Sequence, residues 1–128
     1  MKIQLRNTRV ENLSFVTNDE VAKDEFSLGV ANGYSDKEPN VFLVRFDVKV
    51  KSEHGYELKM DYEAEFATDE DISQEFKESH FPVVNAPAIA YPYMRSFVSL
   101  LTLNGGYEVL ILPTVNFQEM AKRQKGKQ

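Results

Sequence analysis

Residues that commonly hold metals or attack substrates are scarce in this chain of 128 residues. It has no cysteine and only two histidines, His54 and His80. A zinc or iron site needs more nitrogen or thiolate ligands than two widely spaced imidazoles can supply. We therefore interpret both histidines as exposed loop residues, and we expect neither a metal site nor thiol catalysis.

One acidic segment has part of the spacing of a calcium-binding loop. Asp69, Asp71 and Ser73 occupy the first, third and fifth positions of such a loop. The sixth position requires glycine and the twelfth requires glutamate, but this chain has Gln74 and His80 there. We reject a calcium site and interpret the acids as complementing a helix N-terminus.

Four carboxylates could in principle supply a general acid and a general base. They are Glu57, Asp61, Glu63 and Glu65. Because they follow a strict alternation with apolar residues, we prefer the solvated face of a strand to an acid–base pair. The sequence also lacks a Gly-x-Ser-x-Gly nucleophile motif and a phosphate-binding glycine loop. We expect no catalytic residue, no cofactor and no enzymatic activity.

Those acids belong to a pair of segments with the period-two pattern of antiparallel strands. In residues 41–51 and 56–66, apolar side chains occupy every second position, and charged side chains fill most positions between them. This pattern predicts strands with one buried and one solvated face. Residues 52–55 end in Gly55 and are few enough for a turn, so a hairpin is predicted.

The residues before the hairpin predict weaker β-structure. Residues 3–16 are apolar at only a few positions and predict either one strand or a pair of strands. Phe26, Leu28 and Val30 alternate with small or polar residues in a further strand. Residues 32–40 are rich in turn formers and predict a connecting loop.

Beyond the hairpin the pattern changes to that of helices. Thr68, followed by Asp71 three residues later, is a capping-type start for a short acidic helix. Pro92 suits the first turn of a longer helix that runs to Leu103 and ends at Gly105 and Gly106.

A last helix is predicted near the C-terminus. Asn116 is a favourable N-cap residue, and Glu119 follows at the spacing of a capping box. Residues 122–128 then form a basic tail, whose charge is favourable at a helix C-terminus.

Size and charge limit the class of protein. A chain of 128 residues that is 42% hydrophobic is predicted to form one globular domain over residues 1–128. Its formal net charge of −5 argues against a nucleic-acid-binding protein. The N-terminal residues lack the apolar core of a signal peptide, and prolines interrupt the longest uncharged segment. We expect a cytoplasmic protein that binds neither nucleic acid nor membrane.

Two motifs in the second half resemble the family of the bacterial export chaperone SecB. Residues 87–95 read PAIAYPYMR, and residues 112–117 read LPTVNF. That family has an aromatic-Pro-Tyr-x-Arg helix start and a later aliphatic-Asn-Phe that opens its final helix. Residues 13–15, LSF, are similar to a motif of its first strand. We interpret the chain as a divergent SecB-like protein of an uncharacterised Gram-positive SecB-like family.

Some departures from the family pattern bear on partners. The proline near the last helix lies one position early, at Pro113, with Thr114 after it. Family acids implicated in docking the SecA translocase fall at Asn12 and Val16, and a third falls near Lys59. We expect that the chain does not use the standard SecA contact, although the four alternating acids above could still bind a cationic partner.

The resemblance implies an α+β fold, with a four-stranded antiparallel sheet and helices packed on one face. It also implies ATP-independent binding of non-native or extended polypeptide in apolar grooves. The candidate groove residues are Tyr34, Phe42, Tyr62, Tyr107, Phe117 and Met120. Phe42, Tyr62 and Phe117 occupy core-facing positions, so a purely structural role is the favoured alternative for these three.

The long helix predicts a homo-oligomer, a dimer or tetramer, because one sheet face cannot cover all of its apolar sides. The resemblance implies a dimer of dimers that uses this helix and the first strand. We assign the contact with a second copy to Tyr93, Phe97, Val98 and Leu101. The remaining polar stripe consists of Arg95, Ser96, Ser99 and Thr102.

Three functions stay open at this point. The first is a holdase for many non-native chains, and the second is an adaptor or antitoxin-chaperone type protein that holds one dedicated partner. The third is a small-molecule enzyme on the same scaffold, which ranks last because the sequence shows no nucleophile–base pair.

Overall fold

Four strands precede three helices in the computed structural model, which describes residues 1–126, with side chains as far as residue 124. The strands are β1 (Ile3–Thr17), β2 (Glu25–Tyr34), β3 (Val41–Ser52) and β4 (Tyr56–Thr68). The helices are α1 (Gln74–Lys77), α2 (Ala86–Asn104) and α3 (Phe117–Gly126), and a π-helical turn covers Phe81–Asn85 before α2.

The strands form one antiparallel sheet in the order β1-β4-β3-β2. β3 and β4 are joined by a tight turn in which Gly55 has φ 100°, a conformation that glycine adopts without a steric penalty. β1 and β2 are consecutive in sequence but form opposite edges of the sheet. Residues 18–24 therefore cross past the hairpin turn, where the Asn18 amide donates to the Gly55 carbonyl at 2.8 Å.

The predicted hairpin and its buried face are confirmed. Every second side chain of β3 and β4 is buried, and the helices pack on this inner face of the sheet. The fold is therefore α+β, with a four-stranded antiparallel sheet and helices on one face. The strand residues of the apolar core cluster are Phe42, Val44, Phe46, Val48, Val50, Tyr56, Leu58, Met60, Tyr62, Ala64 and Phe66.

β1 is one strand with two bulges rather than a pair of strands. The register against β4 shifts between Leu5 and Asn7 and again between Val10 and Asn12. At each shift β1 contains one residue more than β4. This extra residue changes which later side chains of β1 point to the inner face of the sheet. Leu5, Val10 and Leu13 consequently lie opposite buried residues of β4, although their spacing in the sequence is irregular.

The loop predicted over residues 32–40 begins later than expected. β2 continues to Tyr34, because Asn32, Gly33 and Tyr34 still pair with β3. The Asn32 side-chain amide also donates to the Pro82 carbonyl at 2.8 Å, which ties this end of β2 to the π-helical turn. Placing Tyr34 in a loop was therefore wrong.

The short acidic helix is present, but its predicted cap was wrong. Thr68 ends β4, and its hydroxyl donates to the Asn40 carbonyl at 3.1 Å. The N-cap of α1 is Ser73, whose hydroxyl accepts from the Phe76 amide at 3.0 Å. Thr68 is therefore part of a strand and does not cap the helix. The helix begins after residues 69–73, which follow the end of β4.

The long helix begins before the proline that was predicted to open it. α2 starts at Ala86, with Pro87 in its first turn and Pro92 in its interior. Both prolines suit a helix start on sequence grounds. The π-helical turn over residues 81–85 leads directly into α2, so the helix begins near the earlier proline.

Among the described helices, none is long and apolar enough to span a bilayer.

The start of the last helix is confirmed. The Asn116 side-chain oxygen accepts a hydrogen bond from the Glu119 amide at 3.0 Å, which is the contact expected of an N-cap. Of the predicted basic tail, residues 127 and 128 and the side chains of residues 125 and 126 lie outside the described part of the chain.

Candidate functional site

A groove open to solvent lies at the end of the sheet where β2 begins and β3 ends. Its volume is about 250 Å³. Phe26 and Val50, from the two strands, contribute to one wall, and Leu110, Leu112 and Pro113 contribute to the other. Concave, mostly apolar surfaces of this kind are typical of binding sites.

The second wall belongs to the connector, which we define as residues 107–116 between α2 and α3. Most of the connector lacks regular secondary structure, and side chains of α2 hold it in place. The Leu110 amide donates to Thr102 Oγ1 at 3.0 Å, and Ser99 Oγ donates to the Leu110 carbonyl at 2.7 Å. Ser99 and Thr102, two members of the predicted polar stripe, therefore face the connector rather than solvent.

Tyr91 anchors the connector close to α3. Its hydroxyl donates to the Pro113 carbonyl at 2.6 Å, and its ring packs edge-on against Phe117 with centroids 5.5 Å apart. Burial raises the pKa of the Tyr91 phenol, an effect that the nearby Arg95 guanidinium opposes. The phenol thus stays a neutral donor at physiological pH, and the hydrogen bond persists.

Side chains along the connector alternate between core and solvent. Leu112 is 1% exposed, whereas Val109 is 43% and Ile111 is 69% exposed. On the opposite wall, Phe26 at the start of β2 is 37% exposed. Phe26 and Val109 line the groove and leave apolar surface that the monomer keeps accessible to a partner, whereas Ile111 is not among the lining residues.

Charged side chains border the groove near the hairpin turn. The His54 imidazole Nε2 lies 3.4 Å from a carboxylate oxygen of Glu108, which joins the turn to the connector. Both side chains are more than half exposed, so this contact contributes little to stability. His54 and His80 are exposed, and the described residues contain no cluster of metal-ligating side chains.

Three of the six groove residues proposed from the sequence belong to the core. Phe42, Tyr62 and Phe117 have exposed fractions of 5% or less. Phe42 stacks on Phe66 with ring centroids 5.1 Å apart. These three side chains are accordingly enclosed by the chain's own residues.

The other three lie in separate places. Tyr34 is partly exposed at the end of β2, with Lys77 Nζ 4.8 Å from its ring centre. Tyr107 is half-buried beside Tyr56, and its hydroxyl lies 2.8 Å from Thr17 Oγ1. Met120 is half-buried on α3. The structure does not gather the six residues around one groove.

The sequence also matches a known family over almost its whole length. The family model described as preprotein translocase subunit SecB matches residues 3–128. The chain belongs to the SecB family. The divergent SecB-like protein inferred from the motifs is thereby confirmed.

Relatives of the chain agree with this assignment. The protein-export protein SecB of Magnetococcus marinus is 29% identical over 115 residues, which cover 83% of this chain and 70% of that protein. An uncharacterized protein of Methanocaldococcus jannaschii is 23% identical over 128 residues, which cover 92% of this chain and 81% of that protein. The SecB-like character therefore extends beyond the two motifs.

Solved structures share the fold. A SecB-like chaperone of Mycobacterium tuberculosis, in complex with a ChAD peptide from an antitoxin, has a TM-score of 0.69 at 16% identity, covering 89% of this chain and 88% of that one. A Streptococcus agalactiae protein of unknown function has a TM-score of 0.54 at 10% identity, covering 89% and 98%. The fold is thus that of SecB-like chaperones.

In this SecB family member, the outward side of α2 carries an uncovered apolar stripe. It consists of Ile89, Tyr93, Leu100 and Leu103, each between 45% and 55% exposed. Of the four residues assigned to self-association, Tyr93 lies on this stripe, and Phe97 and Leu101 lie half-buried beside it. Val98 is 0% exposed and belongs to the core cluster, so the chain's own residues cover this member of the contact assigned to a second copy.

The acidic surface expected of this SecB family member is largely neutralised by neighbouring strands. Three of its four carboxylates lie within 4.0 Å of a basic side chain. The pairs are Lys51–Glu57 at 3.9 Å, Arg45–Glu63 at 3.1 Å and Arg6–Glu65 at 3.5 Å. Within the described residues, only Asp61 of the four lacks such a partner.

Sequence reasoning missed the residues that border the groove. Val109 and Ile111 alternate with Leu110 and Leu112, a period-two signal that predicts an extended segment. That signal spans only four residues between turn formers and a proline. A pattern of this length does not distinguish an exposed extended segment from a segment buried in the core.

Proposed function

We propose that this SecB family member binds extended, non-native polypeptide as an ATP-independent holdase, with the groove between β2 and the connector as its contact surface. The observation that supports this most directly is the exposure of Phe26 and Val109 in the lining of an apolar groove. The family is one of chaperones, so a binding role accords with its membership and a catalytic role does not.

Extended polypeptide matches the chemistry of this groove. A non-native chain offers apolar side chains at alternate positions, and these fit a shallow groove with walls that are themselves extended. β2 is an edge strand whose outer backbone groups are not paired with another strand of the sheet. We infer that the groove contacts client side chains while the edge of β2 contributes backbone hydrogen bonds.

Substitution of an exposed groove residue tests this proposal. Val109→Asp is expected to lower affinity for an unfolded client at least about tenfold, because a carboxylate would replace apolar surface of the groove that must be desolvated. The side chain is 43% exposed, so the fold is expected to be unaffected. The measurement is suppression of aggregation of a heat-labile client at a stoichiometric ratio.

Val16→Asp is the matched control, since Val16 is 50% exposed on the solvated side of β1, away from the groove. It should suppress aggregation as the unmodified chain does. Failure of the unmodified chain to suppress aggregation would contradict the holdase proposal. Equal suppression of aggregation by both variants would show that clients bind a surface other than the groove.

A dedicated partner is the second candidate function. The solved SecB-like chaperone of Mycobacterium tuberculosis is bound to a peptide from an antitoxin, so a protein of this fold can bind a peptide from one defined protein. Affinity purification from the native host discriminates between the two. One protein recovered at a fixed ratio favours a dedicated partner, and a mixture of unfolded proteins favours the holdase.

We further infer that a translocase tail of the kind that docks on acidic surfaces is not a partner. Asn12, Val16 and Lys59 replace the acids implied for that contact, and the ion pairs described above already occupy most remaining carboxylates. Titration with an isolated basic, zinc-bearing tail peptide is expected to show weak binding that disappears at moderate salt. Saturable binding that survives moderate salt would contradict this inference.

A further inference from the structure

The outer face of the sheet, which points away from the helices, carries its charges in rows. Residues paired across adjacent strands share a face, so each row contains one residue from every strand. We define the acidic row as Gly29, Asp47, Asp61 and Asn12, and the basic row as Ser27, Lys49, Lys59 and Ser14. The rows are adjacent, about 7 Å apart along the strands.

Each row places two like charges directly opposite each other at the centre of the sheet. Asp47 pairs with Asp61, and Lys49 pairs with Lys59. Like charges in this position destabilise a sheet, whereas opposite charges stabilise it. The rows on either side do contain opposite charges, as in Arg45 opposite Glu63.

The four central charges are also unpaired. Across residues 1–124, none of these four side chains lies within 4.0 Å of an opposite charge, although the two flanking rows contain ion pairs. All four are exposed. The centre of the outer face therefore presents two negative charges beside two positive charges, without internal neutralisation.

Small residues keep this face accessible on the β2 side. A depression of about 510 Å³ lies over the acidic row, where Gly29 and Ala31 leave space beside Asp47 and Asp61. A second depression of about 200 Å³ lies over the basic row, where Ser27 leaves space beside Lys49 and Lys59. The first depression is thus lined by the two unpaired acids together with the Arg45–Glu63 ion pair, and the second by the two unpaired lysines together with the paired charges of Lys51, Glu25 and Glu57.

We propose that the outer face binds the outer face of a second copy of this chain. A two-fold axis that lies between the two rows, parallel to the sheet and perpendicular to its strands, superimposes each acidic row on a basic row. Asp47 then faces Lys49 of the second copy, and Asp61 faces Lys59 of the second copy. The strands of the two sheets remain nearly aligned, which is a common packing geometry.

This contact goes beyond the proposed chaperone function and is separate from the apolar stripe of α2, which lies on the other side of the sheet. Its driving force is attraction between exposed charges, which salt screens, whereas burial of the α2 stripe persists in salt. The assembly is therefore expected to double in mass when salt is lowered.

Light scattering on the full chain tests the proposal at about 20 mM and about 500 mM NaCl, where the Debye lengths are roughly 20 Å and 4 Å. The mass at high salt reports the assembly that does not depend on these charges. We expect the weight-average mass at low salt to rise with protein concentration toward twice that value. A mass that does not change with salt would overturn the proposal.

Reciprocal charge reversals identify the contact. Asp47→Lys/Asp61→Lys makes both rows basic, and Lys49→Asp/Lys59→Asp makes both acidic. Each double variant alone is expected to associate at least about tenfold more weakly at low salt, because four attractive contacts become repulsive. An equimolar mixture of the two is expected to recover the low-salt mass.

Two controls separate this contact from a general effect of charge. Asp36→Lys/Glu38→Lys makes the same change in net charge in the exposed loop after β2, and it should associate as the unmodified chain does. Arg45→Glu/Glu63→Arg keeps the net charge and the ion pair within one chain. The proposed two-fold axis places Arg45 and Glu63 opposite Lys51 and Glu57 of the second copy, so this exchange replaces like charges by opposite charges across the contact and should strengthen association. If the mixture fails to recover association, or if the Asp36/Glu38 variant also loses it, the proposed two-fold contact is wrong.

Discussion

Replacing Phe42 by alanine is expected to lower the free energy of unfolding by about 3–5 kcal/mol. Phe42 is 0% exposed and lies between several rings, stacking on Phe66 and contacting Phe76 with centroids 5.5 Å apart. Removing its ring deletes buried apolar surface and leaves a cavity that the rigid sheet cannot close. Urea denaturation followed by circular dichroism measures the change.

Tyr34→Ala is the matched control for this substitution. Tyr34 stacks on the same ring at 6.3 Å, but it is 38% exposed at the end of an edge strand. Its loss is expected to cost roughly 1 kcal/mol, because only part of its surface leaves water on folding. If Phe42→Ala left stability intact and instead abolished client binding, Phe42 would be a groove residue after all.

The second large effect is expected on assembly. Leu100→Asp/Leu103→Asp is expected to weaken self-association at least about 100-fold, because a two-fold interface contains each substitution twice and each carboxylate must lose its water. Both leucines are more than half exposed in the monomer, so the fold should persist. Sedimentation velocity in about 500 mM NaCl, where surface charges are screened, measures the change.

Ile111→Asp serves here as the control, since it adds one carboxylate to an exposed apolar position outside the α2 stripe. It should leave the assembly intact. An unmodified chain that sediments as a monomer at micromolar concentration would contradict self-association through α2. A double variant that still assembles would show that another surface carries the contact.

The hairpin could be predicted from the sequence because its physical signal is long and regular. Eleven residues of alternation in each strand leave few alternatives, and Asn116 likewise has one well-defined partner in Glu119. The start of α2 could not be fixed in this way, since Pro87 and Pro92 both suit a first turn. The choice depends on the π-helical turn, whose contact with β2 is not visible in local sequence.

The groove could not be predicted because long-range contacts create it. Ser99 and Thr102 are polar residues on an apolar helix, and the sequence does not show which part of the chain they contact. Their hydrogen bonds to Leu110 hold a short apolar segment in an extended conformation, and this segment forms one wall of the groove. Which side of that wall faces solvent then follows from tertiary contacts rather than from local pattern.

The strand order β1-β4-β3-β2 has a consequence for how the chain acquires its structure. The β2–β3 and β3–β4 pairs join neighbours in sequence, but Ile3 at the start of β1 pairs with Thr68 at the end of β4. Bringing distant segments together costs more chain entropy, so β1 is expected to dock last. During synthesis β1 is made before its partner β4, so it stays unpaired until β4 has been synthesised. In this state apolar residues such as Leu5, Val10 and Phe15 are exposed. In that interval the chain's own N-terminal segment has the properties of the polypeptides that the finished protein is proposed to hold.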